Sequence, residues 1–259
     1  MERNDDDKLL IAKLEDRYKF CETRNKIQTT DFLDMRQQTI VEKYIKAKKI
    51  ANSMFVGGYD ESERKMCAFY PQKLENVKEN INWNEYIKVI RISLPNEMVG
   101  QYEHRIYLGA LMKLGISREK VGDILVDEKG ADIIIHPDIL KFVLNNLPSL
   151  TRFSKSKIEE IQLENLKKAE NKKKTTTITI PSMRVDNIVS ELAKCSRGKA
   201  NEFLEAERVL VNYEIVQKSS KEIKQGDIVT IRGKGRFEIK AIVGNTRSGR
   251  ILLDVEKFC

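Results

Sequence analysis

S-R-G-K-A-N-E-F-L-E-A-E-R-V-L-V-N, Ser196 to Asn212, fits a helix, a tight exit and a strand into one short run. Ser196 is suited to cap the helix, because a hydroxyl ahead of the first turn accepts from an otherwise unpaired backbone N–H. Ala200, Phe203 and Leu204 recur at the spacing of one buried helical stripe. Val209 and Val211 follow at strand spacing, and Asn212 tolerates the left-handed conformation of a turn. Arg197 and Lys199 sit at the helix start, where the dipole disfavours cations. That placement is explained if a negative group arrives there. Free N–H groups at a helix start favour phosphate, and a guanidinium grips one with two parallel bonds.

Upstream, M-R-V-D-N-I-V-S-E-L-A-K-C places Val185, Ile188, Val189 and Leu192 on one helical face, with Ser182 as the expected N-cap. Arg184 begins this helix, so both helix starts are expected to share one phosphate-binding surface. Arg208 opens the strand. Downstream, Gly226-Asp227 leads into I-V-T-I-R and then R-G-K-G-R. There Arg232, Lys234 and Arg236 put three cations on a loop whose glycines let backbone approach a ligand. The spacing is not that of G-x-x-x-x-G-K-[ST], so no P-loop is read. A strand, a turn flanked by Arg247 and Arg250, and a second strand complete a small α+β unit.

Residues 73–162 alternate strand and helix patterns. Ile87–Leu94 reads as a strand, a helix follows from about Glu103 to Gly115, and V-G-D-I-L-V-D and A-D-I-I-I-H-P form a hairpin. A helix bounded by Pro137 and Pro148 and a charged closing strand at a sheet edge follow. The order βαββαβ is that of a ferredoxin-like plait. Its third strand has no aromatic residue, which disfavours base stacking on the sheet. Tyr102, His104, Arg105, Arg118 and Lys120 cluster near the ends of the first helix. His136, before Pro137, is read as capping the next turn.

The organisation expected is α+β throughout: an N-terminal α+β domain at 1–72, a ferredoxin-like domain at 73–162, a charged linker with the strand that follows it at 163–179, and a C-terminal domain at 180–259. Within the linker, Leu163 to Lys174 reads as a solvated helix or connector. In the N-terminal domain, Ile11, Leu14, Tyr18 and Cys21 mark one helix and Ile40, Val41, Tyr44 and Ile45 a second. Two short strands flank the Gly57-Gly58 turn.

The 259 residues hold 47 Lys and Arg against 39 Asp and Glu, a net charge of +8 that suits an anionic partner without choosing one. The four cysteines, Cys21, Cys67, Cys195 and Cys259, have no C-x-x-C spacing, so no zinc knuckle or redox dithiol is expected. No apolar run is free enough of charge to span a bilayer, and the start has no signal-like core. No G-x-G-x-x-G follows a strand, and two histidines leave few candidates for metal or nucleophilic chemistry.

R-V-D at 184–186, S-R at 196–197, V-L-V-N at 209–212 and G-D at 226–227 together resemble an S4 domain. The chain differs at Glu207, where that family often has glycine. V-G-G-Y-D-E-S-E-R-K and H-R-I-Y-L-G-A-L-M-K-L-G-I-S-R-E-K-V-G-D-I-L-V resemble the YlmH-type S4 proteins of bacteria over essentially the full length. An acidic residue is common in that family where Ile106 stands. The resemblance implies a non-enzymatic factor of ribosome-associated quality control; a cytoplasmic monomer without cofactor or metal is expected. Its implied partners are large-subunit rRNA and the tRNA held there after a stall, with no membrane. The alternatives are an accessory to RNA modification and a protein-interaction scaffold, for example in cell division. The expected RNA-binding residues are Arg184, Ser196, Arg197, Lys199, Arg208, Arg232, Lys234 and Arg236, with His104, Arg105 and Arg118 in the middle domain.

Overall fold

The computed structural model describes residues 2–167 and 173–258. The chain divides into two compact units, Met1–Ala169 and Glu170–Cys259.

The first unit opens with α1 (Glu2–Arg24), β1 (Gln28–Thr29), α2 (Met35–Lys48), β2 (Ser53–Val56) and β3 (Met66–Phe69). The start of α2 is defined by a capping box. Asp34 accepts from the Gln37 backbone, and the Gln37 side chain accepts from the Asp34 N–H. β1, β3 and β2 form a three-stranded antiparallel sheet in that order. Leu14 and Cys21 of α1, Val41 of α2, and Cys67 and Phe69 of β3 pack together as one core.

β4 (Lys88–Ser93), α3 (His104–Lys113), β5 (Val121–Asp127), β6 (Gly130–Ile135), α4 (Leu140–Asn146) and β7 (Lys157–Ile161) follow. The antiparallel sheet order β5-β6-β4-β7 is that of the expected plait, with the charged β7 at an edge. Gly115 takes a φ of 80° just past α3, and the His136 imidazole accepts from the Asp138 N–H after β6. Ile90, Ile92, Ile133 and Ile135 face the helices. Val89 and Ile134 face the other way and are buried against Phe32, Val56, Met66 and Ala68 of the N-terminal elements. Both faces of this sheet are therefore core, which is why β6 is buried along its whole length.

The linker expected across Leu163 to Lys174 lies partly outside the described residues. Within them, Leu163–Asn165 is a single 3-10 turn, and a strand, β8 (Lys173–Ile180), has begun by Lys173.

The second unit continues with α5 (Val185–Ala193), α6 (Arg197–Glu205), β9 (Val209–Val211), β10 (Glu214–Ile215), β11 (Ile228–Ile231), β12 (Gly235–Asn245) and β13 (Ile251–Phe258). Its antiparallel sheet runs β10-β9-β11-β12-β13-β8, with two register shifts in β12. Val185, Ile188 and Val189 of α5 and Ala200, Phe203 and Leu204 of α6 cover this sheet, packing on Val209, Val229, Ile239 and Val255. Asn212 and Tyr213, at φ 49° and 67°, close the β9–β10 hairpin as a type I′ turn. The N-cap of α5 is Arg184 rather than Ser182. The Ser182 hydroxyl instead accepts from the Asn187 side chain at 2.8 Å, because the chain bends at Ser182 and Met183 before the helix begins.

Candidate nucleic-acid interface

The two S4-like helix starts meet on one carboxylate. Asp186, in the first turn of α5, is 1% exposed. Arg184 donates to its two oxygens at 3.1 and 2.9 Å, and Arg197 donates twice to Oδ2 at 2.8 and 2.6 Å. Burial alone would push this carboxyl up. The hydrogen bonds from Arg184 and Arg197 outweigh it and hold the pKa below the usual carboxylate value. Two guanidinium charges against one carboxylate leave a net positive patch. Each guanidinium has five donors, and the side chains remain 39% and 56% exposed. Asp186 thus holds the arginines in place while leaving donors for a ligand. The spacing R-V-D was legible in the sequence, but the role of its aspartate was not.

Beside them, Ser196 caps α6 as expected, accepting from the Lys199 N–H at 3.2 Å. The Lys199 ammonium reaches Glu202 one turn on, so its charge is partly answered within the helix.

A second group lies at the far end of α6, about 13 Å away at the rise of a nine-residue helix. Arg208 lies over the Phe203 ring, 4.5 Å from its centroid, and donates to the Arg232 carbonyl at 2.8 Å. The Arg232 N–H donates back to the Arg208 carbonyl at 2.9 Å. This pairing fixes the loop between β11 and β12, where Gly233 takes a φ of 82° that a side chain would strain. Arg232 and Lys234 project into solvent from it. Arg236 is half-buried, its guanidinium 4.3 Å from the Phe258 ring, so it supports the hairpin.

The departure at Glu207 falls at the exit of α6. The Arg208 N–H bonds the Phe203 carbonyl and the Glu207 N–H the Leu204 carbonyl, which makes a Schellman motif. Glu207 holds the left-handed position at φ 55°, where glycine has no steric penalty.

In the first unit the expected residues separate. His104 and Arg105 are exposed at the start of α3, and Arg105 pairs with Glu103 at 3.2 Å. Desolvation, then the Arg118 charge, pull the His104 pKa below the ordinary value. Arg118, expected at the RNA face, turns inward and donates to the carbonyls of Val121 and Gly122. Burial, then the neighbouring Arg64 charge, lower it to about 10. Its cation serves the fold, sharing the Val121 carbonyl with Arg64 and bridging it to that of Gly122.

That loop is the V-G-G-Y-D-E-S-E-R-K stretch, and its task here is attachment. Asp123 of β5 accepts from the Tyr59 hydroxyl at 2.9 Å and from the N–H groups of Glu63 and Arg64 at 2.7 and 3.1 Å. Arg64 donates to the carbonyls of Val121 and Phe32. Among the described residues no group of three or more His, Cys, Asp or Glu side chains could hold a metal ion, and no helix is long and apolar enough to cross a membrane.

Residues 183–229 match the family model described as "S4 domain", and residues 83–165 that described as "Putative RNA-binding domain in YlmH". Over 252 residues the chain is 27% identical to the "Ribosome-associated protein quality control protein P2" of Bacillus subtilis (strain 168), spanning 97% of this chain and 95% of that protein. Among solved structures, the "Cell division protein ylmH from Streptococcus pneumoniae" aligns at 24% identity with a TM-score of 0.46, covering 63% of this chain and 92% of the other. The chain is thus a mixed α+β protein with a C-terminal S4 domain, and its family matches are to RNA-binding domains.

Proposed function

We propose that this protein is a binding factor, not an enzyme, that attaches to rRNA of the large ribosomal subunit during rescue of stalled translation, with tRNA as its neighbour there. It acts in the cytoplasm, as a monomer and without a cofactor. The observation that carries the RNA contact is the Asp186-anchored pair Arg184 and Arg197, with Arg232 and Lys234 exposed at the other end of α6. Two cationic groups about one helix length apart suit a phosphate backbone rather than a single small anion. The ribosomal assignment is supported by the full-length similarity to the Bacillus subtilis protein.

Co-sedimentation with ribosomal fractions from stalled and unstalled cells tests it. The expected result is enrichment on large subunits from stalled cells, lost in Arg197→Glu/Lys199→Glu. Equal sedimentation of both proteins would remove the α6 start from the interface, and no sedimentation of either would overturn the ribosomal reading. Turnover in a base-modification assay on rRNA transcripts would overturn the non-enzymatic part.

A further inference from the structure

Plait domains that bind RNA commonly stack bases on the sheet, and here that surface is occupied by the protein itself. Val89 and Ile134 are fully buried under the N-terminal elements. On the same face Asp132 is 0% exposed, held by Arg91 at 2.7 and 2.8 Å and by the Lys167 N–H at 2.8 Å. An RNA strand meeting residues 83–165 has to use another side.

The helical side carries a cleft of about 530 Å³ between α3 and the turn at Leu150–Phe153. Ile106 and Leu150 give it apolar walls, Arg105, Lys113 and Arg152 stand around it, Arg105 paired with Glu103 beside the cleft, and among the described residues no carboxylate lines it. The size is within the range of small-ligand sites. One wall is held by Tyr102, which donates to the Arg152 carbonyl at 3.1 Å and meets the Phe153 ring edge-on at 5.7 Å.

Gly109 is the second, independent observation. It lies inside α3 and lines the cleft, and beyond its own stretch of helix nothing lies within 4 Å of where a Cβ would stand. Neither backbone conformation nor packing calls for glycine there, and glycine is among the poorest helix formers. What its missing side chain leaves is open floor.

We infer that this cleft receives an unpaired nucleotide of RNA. The base lies against Ile106, Leu150 and the bare backbone at Gly109, and the adjoining phosphates meet Arg105, Lys113 and Arg152. Guanidinium planes both stack on bases and hold phosphates, so Arg105 and Arg152 can serve either part. The inference rests on the RNA-binding reading above and adds to it where, and in what form, the middle domain takes RNA.

The test uses the full chain and a short single-stranded RNA carrying 4-thiouridine and a fluorescent end label. Anisotropy gives affinity, and photo-crosslinked peptides give position. Expected are crosslinks within residues 105–113 or 150–153, and at least about fivefold weaker binding for Arg105→Gln/Arg152→Gln and for Gly109→Leu. Gly109→Leu fills the cleft without removing charge, so its salt slope stays that of the wild type while affinity falls. Thermal unfolding checks each variant, and the surface arginine pair carries the test if Gly109→Leu does not fold. Cleft variants that bind like wild type, with crosslinks confined to the S4 unit and binding lost in Arg232→Gln/Lys234→Gln, overturn the cleft and leave RNA binding standing. Absence of RNA binding by the wild type overturns both.

Discussion

Arg197, the first residue of α6, donates two hydrogen bonds to Asp186 in the first turn of α5, at 2.8 and 2.6 Å. One buried carboxylate therefore joins two helices and offsets part of the dipole penalty of a cation at a helix start. Replacing it by Asp186→Asn is expected to cost about 2 kcal/mol, less than an enclosed pair because both arginines remain in contact with water. The pH dependence has a definite sign. A carboxyl whose folded pKa is depressed contributes stability above its unfolded value, near 3.8, and loses it as pH falls through the folded value. The difference in unfolding free energy between wild type and Asp186→Asn should be constant above about pH 5 and shrink below about pH 4. Urea titrations at a series of pH values measure it, and a difference that persists undiminished to pH 2 would count against the assignment.

Glu207 sits where a Schellman motif favours glycine. Glu207→Gly is expected to stabilise the second unit by about 1 kcal/mol, the lower end of the left-handed penalty for an L-residue. Differential scanning calorimetry should show a rise of a few degrees. A fall would mean that the side chain's own contact with Gln217 outweighs the strain.

Asp123 satisfies two backbone N–H groups and one phenol at the joint between the 57–65 loop and β5. Asp123→Ala leaves these donors unpaired and is expected to cost about 2–3 kcal/mol, whereas Tyr59→Phe, which removes one bond and its donor together, should cost about 1. Chemical denaturation of the two variants gives the ratio. Equal losses would show that the phenol rather than the loop backbone is what Asp123 holds.

RNA affinity should fall with salt at a log–log slope of roughly −3 to −5, as expected for four to six neutralised phosphates. Arg232→Gln/Lys234→Gln should flatten that slope by about 1.5 and weaken binding across unrelated sequences alike, because phosphate contacts carry no base information. A slope left unchanged in the variant would remove the β11–β12 loop from the interface.

The order of strands and helices was legible in the residues because each element carries its own period. Ala200, Phe203 and Leu204 mark a helix, Val209 and Val211 a strand, and Gly115 and Pro148 mark two of the ends. Motif spacing likewise located Arg184, Ser196, Arg197 and Arg232 on their elements. Ser182 does not cap α5, because a local propensity does not report where the backbone bends before the helix.

What only the tertiary structure decided is how each polar side chain is used. Arg105 and Arg118 look alike in sequence, but Arg105 faces water and Arg118 spends its donors on the carbonyls of Val121 and Gly122. Val89 and Ile134 read as any strand residues, but the N-terminal elements bury them and so cover the sheet. Periodicity is a property of neighbours along the chain, and the sequence alone determined whatever depends on it: elements, their order and the plait. The partner of a charge and the covering of a face depend on segments far apart in the chain. Asp186 and Arg197, or Arg64 and Val121, meet only once burial makes an unpaired polar group costly and the fold supplies its mate.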